Sequence, residues 1–174
     1  MFKIINTLAP FFEEPVREFN VREVSRILHI SPATASKELM LRAKEGILRG
    51  RKERNLLLYK ANLDGQPYLD LKVYYTLRKI KESGLVEELN RFYLKPTIVL
   101  FGSCARGLDT ETSDIDVLII SEKTQEFLNV KKYEKKLSRK LQFFVVKKVQ
   151  DLKNEHLINN VLNGIVVQGA VKWI

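Results

Sequence analysis

Leu100-Phe101-Gly102-Ser103-Cys104-Ala105-Arg106-Gly107, followed by Ser113-Asp114-Ile115-Asp116-Val117, is the stretch whose reading decides the fold. Thr97 to Phe101 and Ile115 to Ile120 are short β-branched runs that predict buried strands, and the loop between them is built of Gly, Ser, Asp and Thr. Side chains alternate along a strand, so Asp114 and Asp116 are expected on one face, about 7 Å apart. Two carboxylates so placed suit a hard divalent cation, and Mg²⁺ takes one or two carboxylates together with phosphate oxygens and water. Upstream, Gly102 lets the backbone approach a phosphate, and Ser103 with the following amides at a helix start supplies donors to it. A metal site and a phosphate cradle within 15 residues point to phosphoryl or nucleotidyl chemistry.

Working outward, Tyr68 to Lys81 and Val86 to Tyr93 are amphipathic and separated by Ser83-Gly84. Downstream, the pattern predicts a helix over Gln125 to Lys140 and a strand over Leu141 to Val146. A last helix over Gln150 to Leu162 and a strand over Ile165 to Gln168 follow. Strands alternating with helices imply an α/β (α+β mixed) domain with a short mixed sheet and flanking helices.

At these residues the chain resembles the polymerase-β-like nucleotidyltransferase superfamily, in particular its minimal members. The match lies in Gly102-Ser103, a short spacer with Ala105-Arg106-Gly107, and Ser113-Asp114-Ile115-Asp116, and the resemblance spans roughly Tyr68 to Trp173. It implies that Gly102 and Ser103 hold the triphosphate of a nucleoside triphosphate. It implies that Asp114 and Asp116 are catalytic and hold the Mg²⁺ (or Mn²⁺) ions that activate an attacking hydroxyl. Active members use a third carboxylate from a later strand; the aligned position here is Gln142, which offers no charge. Glu134 and Asp151 lie too far away in the pattern to replace it, so transfer stands against nucleotide binding without efficient transfer. Arg106 is expected either near a phosphate or in a surface ion pair with Asp109 or Glu111. Cys104 reads as a small buried side chain. Minimal members often work with a second small protein in toxin-antitoxin-like pairs, which implies a protein partner.

The N-terminal part reads differently. Lys3 to Phe12 and Val21 to Leu28 are expected helices, the second capped by Asn20. Ser31 caps a third, with Pro32 at its first position, running to about Lys44. Ile47 to Lys52 and Leu56 to Tyr59 are then two short strands around a charged tip. Three helices and a hairpin, with a tight turn at His29-Ile30, resemble a winged helix-turn-helix; a helix bundle is the alternative. The resemblance implies that Thr34, Ser36 and Lys37 face a major groove of double-stranded DNA and that Arg49, Arg51, Lys52 and Arg54 lie on a wing against the backbone. A winged protein-protein adaptor is the competing role. His29 reads as a structural residue of the turn.

The turn cluster Asn62-Leu63-Asp64-Gly65-Gln66-Pro67 places the boundary so that residues 1–64 form the winged domain and 65–174 the nucleotidyltransferase-like domain. Length and a 45% hydrophobic content admit two small cores. The net charge of +9 draws the chain to polyanions, nucleic acid foremost. That charge concentrates between Arg42 and Lys60 and between Lys131 and Lys140. The second run is read as a solvated helix face rather than a guide for RNA. Without a spanning stretch or signal-peptide pattern, the expectation is a cytoplasmic protein with no membrane role. A homodimer through the apolar helix from Tyr68 is compatible with the pattern.

Overall fold

Two sheets organise the chain in a computed structural model that describes residues 2–172; Trp173 lies outside the described residues. Two compact units, Met1–Tyr75 and Thr76–Ile174, divide it.

In the first unit, α1 (Phe2–Glu13) leads to a two-residue strand, β1 (Phe19–Asn20), and then to α2 (Val21–Leu28). Asn20 caps α2 reciprocally: its side chain accepts from the Glu23 amide at 3.0 Å, and the Glu23 carboxylate accepts from the Asn20 amide at 3.1 Å. His29, at φ 53°, makes the left-handed turn out of α2, as its place in the turn predicts. Ser31 accepts from the Thr34 amide at 3.1 Å and, with Pro32 behind it, starts α3 (Pro32–Lys44). The hairpin of β2 (Leu48–Glu53) and β3 (Leu56–Ala61) is joined by β1 in the sheet order β1-β3-β2, with Tyr59 opposite both Phe19 and Gly50. Leu8, Phe11, Phe19, Val24 and Leu39 form the centre of this core.

The helix α4 (Gln66–Glu82) begins at the expected turn, yet the unit boundary falls inside it, at Tyr75/Thr76, instead of at Asp64/Gly65. Tyr68 is fully buried in the N-terminal core and its hydroxyl donates to the Phe11 carbonyl at 2.9 Å; Leu69, Leu71 and Tyr75 pack against the same cluster. That apolar face is therefore engaged, at Tyr68, Leu69, Leu71 and Tyr75, with the core of the first unit.

The second unit contains α5 (Leu85–Tyr93), β4 (Thr97–Phe101), a 3₁₀ turn at Cys104–Arg106 and β5 (Ile115–Ile120). There follow α6 (Val130–Leu137), β6 (Leu141–Val146), a second 3₁₀ turn at Val149–Asp151, α7 (Glu155–Leu162) and β7 (Ile165–Gln168). The sheet order is β6-β5-β4-β7. Only the β5–β6 pair is parallel among these, so the sheet is mixed, as expected. Alternation gives it two apolar faces. Ile98, Leu100, Val117, Ile119 and Phe143 face a core with Leu85, Leu89 and Tyr133. Val99, Phe101, Leu118 and Phe144 face Val149, Leu152 and Val161.

Two helices are shorter than the sequence predicts. Residues 125–129 stay out of α6 because Phe127 is buried in the core and the Gln125 carbonyl accepts the Tyr93 hydroxyl at 2.8 Å. The expected helix over 150–162 breaks into the 3₁₀ turn and α7, which restarts where the Asn154 side chain accepts from the Leu157 amide at 3.2 Å. Among the described residues, no helix is long and apolar enough to cross a membrane.

Candidate functional site

At one end of the second sheet, β4 finishes and β5 and β6 begin. Their register sets Phe101, Asp116 and Gln142 abreast. All three share the face of Leu118 and Phe144, because paired positions in neighbouring strands point the same way. Gln142 thus stands beside Asp116, the place the resemblance gives to a third carboxylate, and it is exposed. Asp114 is also exposed and sits one residue before β5, so the expected two-residue strand spacing starts just outside the regular strand.

Gly102 follows β4 directly in a left-handed conformation, φ 72°, that glycine adopts without strain. A Cβ there would collide with Asp116 Oδ2 and lie 3.3 Å from its Cγ. The sequence therefore folds a bare backbone turn onto the very carboxylate expected to hold a metal. Ser103 follows, half-buried, its side chain free of any helix-cap bond, before the buried Cys104. The helix expected to start here is a single 3₁₀ turn, so the amides come from a tight loop rather than from an α-helix terminus.

Burial, and after it the neighbouring Asp114 carboxylate, pushes the Asp116 carboxyl above its usual range. Among the described residues no ion pair involves either acid, and no group of three or more His, Cys, Asp or Glu converges as a metal cluster. Two uncompensated carboxylates next to an open backbone turn fit one hard divalent cation whose shell is completed by phosphate oxygens and water. They do not supply the charge for a second ion, since Gln142 contributes only a neutral oxygen. Glu134 is no replacement: it accepts from the Leu141 amide at 3.1 Å.

Arg106 is exposed, and its Nε donates to the Gly102 carbonyl at 3.4 Å, which brings it to the Gly102 turn. The surface ion pair with Asp109 or Glu111 does not form. Asp109 is buried and pairs with Arg139 at 3.0 Å. Arg139 thereby leaves the solvated basic face assigned to Lys131–Lys140, and it is the residue the sequence reading missed.

In the first unit, Thr34 and Lys37 are exposed on α3, three residues apart, whereas Ser36 is half-buried and turns away from them. The Thr34 hydroxyl and amide are engaged with Ser31. Two of the three hairpin arginines are already paired. Arg49 pairs with Asp64 at 2.6 Å, and Arg51 grips Glu18 through two bonds of 2.7 and 2.6 Å while also pairing with Glu53. Lys52 and Arg54 remain exposed, Arg54 at the left-handed tip with φ 51°. Arg42, counted with the basic surface, is buried between Glu38 and Glu45.

Residues 82–167 match the nucleotidyltransferase domain family, a shorter span than Tyr68 to Trp173. The matched segment contains the Gly102 turn, both aspartates and Gln142, and it supports a function of the nucleotidyl-transfer type. No curated protein matches the chain.

Proposed function

We propose, from the nucleotidyltransferase match over 82–167, that the second unit binds a nucleoside triphosphate together with one Mg²⁺ (or Mn²⁺) ion. Gly102 and Ser103 take the phosphates through main-chain and hydroxyl donors, Arg106 adds positive charge beside them, and Asp114 and Asp116 hold the cation. The observation that carries this reading is the Gly102 turn lying against Asp116 with no room for a Cβ. The cation, when bound, supplies charge that offsets both the triphosphate and the carboxylate pair. With Gln142 neutral, an acceptor hydroxyl is activated weakly, so nucleotide binding outweighs transfer to a protein or nucleic-acid acceptor. Calorimetric titration of the four Mg²⁺-nucleoside triphosphates checks it: binding to the wild type that disappears in Asp114→Asn/Asp116→Asn is expected. Equal binding by both proteins removes the carboxylates from the site.

We also propose that the first unit is a winged helix-turn-helix that binds double-stranded DNA, α3 entering the major groove and the β2–β3 hairpin acting as the wing. The order of three helices and a hairpin, the capped start of α3 and the exposed Thr34, Lys37, Lys52 and Arg54 support this reading. A second reading, a protein-docking adaptor, is favoured by apolar side chains on the same surface. Met40, Leu41, Leu56 and Leu57 are exposed there, and a cleft of about 630 Å³ between α3 and the hairpin is lined by Met40, Ala43, Leu57 and Tyr59 together with Arg49, Arg51 and Lys52. Salt-dependent binding of a labelled duplex by the full chain selects the first; its absence selects the second.

A further inference from the structure

We propose that Arg139 is a positioning residue: it sets where the Asp114 carboxylate stands, and through it how tightly the protein holds a metal-bound nucleotide. The inference rests on the nucleotide reading above. Arg139 lies in the link between α6 and β6, after the left-handed Ser138, and its side chain is 11% exposed. Its guanidinium has three partners, all in or under the loop that ends at Asp114. Nε donates to the Ser113 carbonyl at 2.6 Å, Nη1 pairs with the buried Asp109 at 3.0 Å, and Nη2 donates to Cys104 Sγ at 3.6 Å. The chain continues the grip on both sides. Cys104 Sγ donates to the Asp114 carbonyl at 3.4 Å, and the Ile115 amide donates to the Lys140 carbonyl at 2.8 Å.

Ser113, Asp114 and Ile115 are thus each fixed by Arg139, by its contact Cys104 or by its neighbour Lys140. None of these bonds uses the Asp114 carboxylate, which stays exposed. Such an arrangement is needed where a carboxylate must hold its position before any ion arrives, because the loop itself is short of regular structure. The planar fork spreads its donors over three nitrogens, each aimed at a different partner; a lysine ammonium keeps the charge and loses that geometry.

The test uses the full chain and two probes, Mn²⁺–ATP and ATP in EDTA. Asp109→Asn/Arg139→Gln removes both buried charges, so cooperative melting reports that the fold persists. In that folded variant the Mn²⁺–ATP affinity is expected to fall about tenfold or more, as for other residues that orient metal ligands, while the affinity for ATP in EDTA stays at the wild-type value. If the neutral pair does not fold, Arg139→Lys carries the same test with the charge retained. A folded variant with wild-type Mn²⁺–ATP affinity overturns the positioning role and leaves the nucleotide reading intact. A wild-type protein that binds ATP no better with Mn²⁺ than in EDTA overturns both.

Discussion

The hairpin of the first unit and the rim of the second unit's sheet handle charge in opposite ways. On the hairpin, carboxylates answer the arginines: Arg51 holds Glu18 and Glu53, and Arg49 holds Asp64. Glu18, bonded to Arg51, is held below the usual carboxylate range. On the rim, Asp114 and Asp116 stand together with no ion pair among the described residues, and Asp116 is pushed up by burial and by its neighbour. Charge that is already satisfied maintains a fold. Charge left unsatisfied at a structural cost is where a ligand is awaited. The contrast is why, under the proposed function, a stretch dense in arginine offers fewer free cations than its count suggests, while two acids are assigned the chemistry.

The largest effect expected from breaking this comparison lies under the rim. Arg139→Met breaks the buried pair with Asp109 and should lower the unfolding free energy by about 3 kcal/mol, measured by urea denaturation. If instead the loss is no larger than for a surface substitution, Asp109 and Arg139 are not the buried pair described here. Next comes Gly102→Ala, where a left-handed residue acquires a side chain at a strain of about 1 kcal/mol and meets Asp116 Oδ2. Its stability loss should be modest and its loss of Mg²⁺-nucleotide binding complete by calorimetry; retained affinity would separate the turn from the site.

The hairpin gives a smaller, finer test. Replacing Lys52 and Arg54, which are exposed, should weaken duplex binding and flatten its salt slope by about one unit per lost phosphate contact. Replacing Arg51 alone should change the slope less, since Glu18 and Glu53 already engage it. Equal slopes for the two substitutions would show that DNA displaces those carboxylates. The smallest effect is in the pH dependence of the metal-free protein. Asp116 binds its proton more tightly folded than unfolded, so its contribution to stability declines as pH rises from the ordinary carboxylate range to its raised value. Glu18 behaves inversely: its contribution is present above the ordinary range and fades as pH falls through its lowered value. Melting of Asp116→Asn and Glu18→Gln across acidic pH should remove the two slopes separately.

How much of this was legible in the sequence follows the range of the interactions. β4, β5, β6 and β7 were legible because buried strands announce themselves in continuous apolar runs, and Asn20 and Ser31 because capping is local. The Gly102 turn and the position of Gln142 beside Asp116 were legible through spacing and resemblance. What escaped depends on distant partners. The strand at Phe19–Asn20 is too short to show a period, and residues 125–129 carry helical periodicity that the burial of Phe127 overrides. The boundary moves to Tyr75/Thr76 because Tyr68 is claimed by Phe11, 57 residues earlier. Arg139 looked like one more member of a lysine-rich face. Its partner Asp109 lies 30 residues away, and only the closure of β5 against β6 brings the two together.

The contrast between satisfied and unsatisfied charge is tested most directly by the melting midpoint of the full chain and of Asp114→Asn/Asp116→Asn, each measured without metal and with Mg²⁺ plus a nucleoside triphosphate. The account predicts that the double variant melts higher than the wild type without metal, since it sheds a repulsive, partly buried pair, and that Mg²⁺-nucleotide stabilises only the wild type. A double variant that melts lower than the wild type without metal, or that Mg²⁺-nucleotide stabilises equally, would contradict it.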